Sequence, residues 1–156
     1  MAIGKFHPRH RRIIETWLRR RGYSLRYGRV VKKDEVDFDE RRVDVSCQAR
    51  PAVSALHECG HILVNLSRKR RPHAVIAGSS LREFDANNHY DTKSVRRFGD
   101  GLRVVHEELV AWERGRRLGR RLRLGIAAKT FQLHAVRNTM TYVRWLALAG
   151  SAGPPH

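Results

Sequence analysis

The sequence predicts a small α+β domain, and three observations carry that expectation. Apolar residues recur at helical spacing near the N-terminus and again over two segments beyond residue 100. Short runs between residues 23 and 45 alternate apolar with polar, as half-buried strands do. Between these regions lies a mostly apolar helix that contains His57-Glu58-Cys59-Gly60-His61. With 156 residues the chain is long enough for one real core and short for two, so 1–150 is expected to be a single domain. The Gly/Pro-rich stretch 151–156 is expected to be a flexible tail.

From about Pro8 to Arg21, Ile13, Ile14, Trp17 and Leu18 recur among Arg9, Arg11, Arg12, Arg19, Arg20 and Arg21, which is an amphipathic helix with a basic outer face. Gly22 can end it. Tyr23–Tyr27, Val30-Val31, Val36–Phe38 and Val43–Val45 then read as short strands, with polar turns at 32–35 and 39–42, giving a short antiparallel sheet of about three strands. Pro51 suits the first position of the motif helix, which the apolar residues carry to Leu66. Beyond it, Ser67–Pro72 reads as a basic exit loop, His73–Ala77 as a short edge strand, and Gly78–Gly101 as a long loop of little periodicity. Two C-terminal helices follow. Leu102–Arg121 carries Val104, Val105, Leu109, Trp112, Leu118 and Leu122 on one broad face, and about Lys129–Ala149 carries Phe131, Leu133, Val136, Met140, Tyr142, Val143, Trp145 and Leu146, with Gly125 between them.

Thirty-two Lys and Arg against fifteen Asp and Glu leave a formal charge of +17, which points to a polyanion such as nucleic acid near the Arg-rich surface. The plain alternative is that the arginines are solvated and compositional. Two cysteines, Cys47 and Cys59, form no disulfide framework, and no stretch approaches the ~20 apolar residues of a membrane span. Met1–Phe6 has no apolar core of a signal peptide. A reduced, cytoplasmic protein with no membrane partner is the expectation.

In a helix, residues four apart share a face, so His57 and His61 can offer ring nitrogens to one ion. Glu58 projects about 100° round from His57, beside such an ion without ligating it, where it can take a proton from water. The bland alternative is a pair of core histidines satisfied by hydrogen bonds. A catalytic Zn²⁺ takes three protein ligands and leaves one position open, so a third must come from elsewhere. Counting about 100° per residue from Val104, the apolar side chains of that helix centre near 50°, Glu108 near 40°, Glu107 near 300° and Glu113 near 180°. Glu108 therefore faces the core, where an unpartnered carboxylate is costly and a ligated one is neutralised. Glu107 is the reserve, and His73 and His89 are further candidates in the loop. Cys59, two residues after His57, turns away from the metal face and reads as core filler.

The motif His57-Glu58-Cys59-Gly60-His61 after a strand meander, with Glu107-Glu108-Leu109-Val110-Ala111-Trp112 on a later helix, resembles the ImmA/IrrE-type zinc peptidases of phage and prophage over roughly Tyr23 to Leu122. The resemblance implies a zincin-like fold in a bacterial or phage-infected cell. It also implies zinc held by His57, His61 and Glu108, Glu58 as general base, and a protein or peptide substrate. Tyr90, His89 and His106 are candidate oxyanion helpers. A reading from another class is a basic nucleic-acid-binding protein whose zinc is structural or vestigial, and a third is a hydrolytic toxin or host-takeover factor with the same site and a different target.

Overall fold

The first helix, α1 (Pro8–Arg19), begins on a proline whose missing N–H is no loss there, and buries Ile14, Trp17 and Leu18 while its arginines face outward. It ends at Gly22, whose φ of +77° lets the N–H groups of Gly22 and Tyr23 reach back to the carbonyls of Arg19 and Leu18. This computed structural model describes residues 5–46, 50–70 and 92–147. The expected strand at 73–77, His73, His89, Tyr90, Cys47 and the tail lie outside the described residues.

The sheet comprises β1 (Ser24–Tyr27), β2 (Glu35–Asp37) and β3 (Arg42–Val45) in the order β1-β3-β2. It corrects the expected all-antiparallel arrangement, because β1 pairs with β3 in parallel and only β2 is antiparallel to β3. Two causes can be named. The Asp37 carboxylate accepts from the N–H groups of Asp39 and Glu40, and Arg41 at φ +50° closes a tight turn, so β2 and β3 form a hairpin. The Ser24 N–H then bonds the Arg41 carbonyl, docking β1 on the other edge of β3. β3 suits the central place: Val43 and Val45 are fully buried, and buried Asp44 is held by Arg26 and by Arg42 Nε at 2.9 Å. Val30-Val31 forms no strand; Val31 is buried and Val30 exposed.

Helix α2 (Pro51–Arg70) carries the histidine motif, and α3 (Thr92–Arg121) and α4 (Ala128–Ala147) follow it. α3 starts ten residues before the position that periodicity suggests. Gly99 and Gly101, which read as loop residues, are buried within it. Trp112 and Leu118 are buried as expected, but Leu109 is half-exposed. On α4 the inward residues are Phe131 and Thr139, while Leu133, Val136, Met140 and Val143 are exposed, so the apolar stripe read from sequence is not the packed one. No helix among the described residues is long and apolar enough to cross a membrane.

α3 ends on Arg123, whose φ is +52° and whose N–H bonds the Arg120 carbonyl, while the Leu124 N–H bonds Gly119. That position favours glycine, since a Cβ in the left-handed region costs about 1 kcal/mol. Arg123→Gly is therefore expected to raise stability by up to ~1 kcal/mol, read as a higher urea midpoint at unchanged m. A lower midpoint would contradict this account of the cap.

The packing of α2 against α3 decides where the motif points. A Cβ on Gly60 would lie 2.0 Å from the Ala111 carbonyl oxygen, and one on Gly115 would lie 2.3 Å from that of Leu56. Two glycines thus let the helix backbones touch, bringing the His57–His61 face within side-chain reach of Glu108.

Candidate metal centre

His57, His61 and Glu108 come together between α2 and α3, and their ligand atoms all lie within 4.8 Å of one another. His57 Nε2 is 3.1 Å from Glu108 Oε2, His61 Nε2 is 3.4 Å from Glu108 Oε1, and the two Nε2 atoms are 3.2 Å apart. His57, Glu58 and Glu108 are buried and His61 is nearly so. Such a group could hold a metal ion. The helical count from Val104 turns Glu108 inward, and Glu108 is indeed the carboxylate between the imidazoles. Glu107 instead approaches the opposite nitrogen of His61 and stands outside the cluster. Its Oε1 is 4.0 Å from Nδ1, too long for a hydrogen bond but close enough for its charge to raise the ring's proton affinity.

Aromatic packing fixes the His57 ring. Trp112 stacks on it with centroids 4.0 Å apart and planes at 16°, and Phe131 of α4 meets Trp112 edge-on at 5.5 Å. With the ring plane set, Nε2 is aimed at Glu108, while buried Nδ1 has no hydrogen-bond partner among the described residues. The Glu58 carboxylate lies next to the cluster, its Oε1 3.9 Å from His57 Nε2.

The electrostatics separate the two glutamates. Burial pushes the Glu58 carboxyl up to about 8; His61 pulls it down, while Asp34, Glu108 and Glu35 add to the rise. Burial works to raise Glu108 as well, but the hydrogen bonds from His57 and His61 win and hold it down at about 2. Burial lowers His57 below the ordinary histidine range. Burial acts the same way on His61, yet the bond to Glu108 and the fields of Glu58, Glu108 and Glu107 carry it above that range. One acid thus stays ionised beside the rings, and the other sits where it holds a proton near neutrality.

Three contributors escape a reading of the site from sequence. The Tyr142 phenol on α4 is pushed above its ordinary range by burial, by the charges of Glu108 and Glu58, and by its hydrogen bond to Glu108. By spacing Tyr142 is only an apolar-face residue, and nothing in the sequence ties α4 to the site. Trp112 is expected in the core but not as the platform under His57. Gly60 carries a signal: a glycine costs about 1 kcal/mol inside a helix, so one between the two histidines implies a close approach there. His106 is exposed on α3 and is not part of the cluster. Cys59 is buried and free, as core filler should be, and burial keeps its thiol protonated.

Comparison of the chain with protein families, with curated proteins and with solved structures finds no match, so the His57–His61–Glu108 cluster stands on its own geometry.

Proposed function

We propose that the protein is a zinc-dependent peptide hydrolase in which His57, His61 and Glu108 hold the ion and Glu58 is the general base. The observation that carries this reading is the spacing of the donors. Two imidazole nitrogens and a carboxylate are a zinc donor set, and tetrahedral bonds of about 2.0–2.1 Å require donor atoms about 3.3 Å apart. The two imidazole nitrogens are 3.2 Å apart, and Glu108 gives one oxygen to each ring, Oε2 at 3.1 Å from His57 and Oε1 at 3.4 Å from His61. One atom from each residue thus falls within 4.8 Å of the others, close enough to be drawn onto a single ion. Zinc, when bound, supplies Lewis acidity that polarises a carbonyl and acidifies water.

The chain's own residues supply the rest. Glu58, buried and with its proton affinity raised to near neutrality, can take a proton from the attacking water and pass it to the leaving amine. Trp112 holds the His57 ring plane, the Tyr142 phenol hydrogen-bonds Glu108, and the Glu107 carboxylate adds its negative field at His61. A peptide bond as target is supported by the resemblance of the motif and its later helical glutamate to the ImmA/IrrE-type peptidases.

The test is cleavage of a mixed peptide library by the zinc-loaded protein, followed by mass spectrometry, on wild type and Glu58→Gln. The variant should keep its zinc and lose about 10²–10⁴-fold in rate. Hydrolysis that survives unchanged in Glu58→Gln would sink the base assignment, and no cleavage by the zinc-loaded wild type would sink the enzyme. A second readout needs no substrate. The folded metal-free protein keeps a proton on Glu58 that the unfolded chain releases above about pH 4.5, so its stability falls as pH rises from there to about 8. Gln removes that loss. Metal-free Glu58→Gln is therefore expected to be more stable than wild type above about pH 8, by on the order of 1–3 kcal/mol, as measured by urea unfolding.

A further inference from the structure

On the other side of the α2–α3 pair, the C-terminal end of α1 and the two helices enclose a groove of about 750 Å³. Five arginines line it: Arg20 and Arg21 from the end of α1, and Arg114, Arg117 and Arg121 from α3, over a floor that includes Leu63 and Leu118. Counting about 100° per residue, Leu63 and Leu66 lie roughly half a turn round α2 from the motif histidines, and Arg117 and Arg121 lie about as far round α3 from Glu108. The groove and the metal cluster are therefore separate sites on opposite faces.

Two of its charges are held in place by neutral groups, and among the described residues most of the five are left without a carboxylate. The Arg21 guanidinium lies 3.9 Å over the Trp17 ring and donates to the Trp17 carbonyl. Arg114 donates to the Leu63 carbonyl and, at 2.6 Å, to Ser67 Oγ. Both side chains are fixed by neutral partners, so their charge is not spent. Among the described residues the one carboxylate bonded to any of the five is Glu113, which Arg117 shares with Arg116. Five like charges facing one space repel one another, and such an arrangement gains free energy when an anion enters it. Guanidinium forks suit phosphate oxygens in particular.

We propose that this groove binds the phosphodiester backbone of a nucleic acid. Its volume is many times that of one phosphate, and its cations come from two helices along both walls, which fits successive phosphates rather than one. The apolar floor offers no base-reading donors, so recognition would be of backbone and not of sequence. The chain's +17 charge adds long-range attraction to the same ligand.

The experiment is fluorescence anisotropy of a labelled mixed-sequence duplex DNA titrated with the full chain across a salt series. It compares wild type, Arg20→Gln/Arg121→Gln and Arg9→Gln/Arg12→Gln, two exposed pairs of equal charge of which only the first lines the groove. The groove pair should weaken binding tenfold or more and make the log–log salt slope shallower by about 1.8, or 0.9 for each phosphate no longer neutralised. The α1 pair should change affinity much less, and Glu58→Gln should bind as wild type does, which separates this site from the hydrolytic reading. Equal losses in the two arginine pairs would overturn the groove in favour of a diffuse field. Absence of binding near ~0.15 M salt would overturn nucleic acid as the ligand. Inorganic phosphate displacing the duplex at equal ionic strength, with chloride as the control, would reassign the groove to a single phosphate group.

Discussion

Glu108→Ala is expected to abolish the zinc binding proposed for the His57–His61–Glu108 cluster. Wild type should purify with about one zinc per chain, and removing one of three ligands should weaken binding by on the order of 3 kcal/mol, a hundredfold or more. His57→Ala and His61→Ala should do the same. Glu107→Ala is the informative control, because its carboxylate approaches His61 Nδ1 from outside the cluster and its loss should cost at most about the 10–100-fold typical of a group beside the ligands. Zinc content after dialysis against a competing chelator reads all four variants. Zinc kept by Glu108→Ala and lost by Glu107→Ala would exchange their roles. Acidity gives a second handle: His61 must lose its proton to ligate, and the carboxylates around it raise its proton affinity. Zinc affinity should therefore fall as pH is lowered through the range in which His61 gains a proton.

How much of this is legible in the sequence depends on whether the signal is local. The motif spacing and the inward turn of Glu108 follow from helical geometry alone, and the histidines and glutamate do converge. The basic face of α1 is equally plain. Strand order is not, because the parallel pairing of β1 with β3 depends on which edge of β3 the end of α1 reaches, a tertiary matter. The two C-terminal helices, α3 and α4, have partly misleading stripes. Leu133, Val136, Met140 and Val143 are spaced as a core face would be, yet Phe131 and Thr139 are what α4 buries. Periodicity locates a stripe and cannot say which neighbour covers it. Tyr142 and the arginine groove are illegible for the same reason, since each exists only once helices distant in sequence are packed together.

That packing is itself the object of the other large prediction. Gly60→Ala should unfold or severely destabilise the protein although alanine is the better helix former. The added methyl would sit 2.0 Å from the Ala111 carbonyl oxygen, 2.7 Å from its carbon and 3.0 Å from its Cα, all backbone atoms that no rotamer change can move away. α2 and α3 must then separate, opening the interface that buries Leu56 and Trp112. An intrinsic helix gain of about 1 kcal/mol is set against overpacking and reduced burial of on the order of 3 kcal/mol or more, so the destabilisation prevails. Gly125→Ala is the comparison: it meets nothing within 4 Å, and its cost should be confined to the ~1–2 kcal/mol of a left-handed backbone at φ +67°. Urea unfolding orders the two variants, and zinc retention adds the link to function. His61 and Glu108 face each other across this helix interface at 3.4 Å, so any Gly60→Ala protein that still folds should bind zinc more weakly, whereas Gly125→Ala should bind it normally. A stable Gly60→Ala protein with full zinc would mean that the two helices do not depend on this close approach to assemble the site.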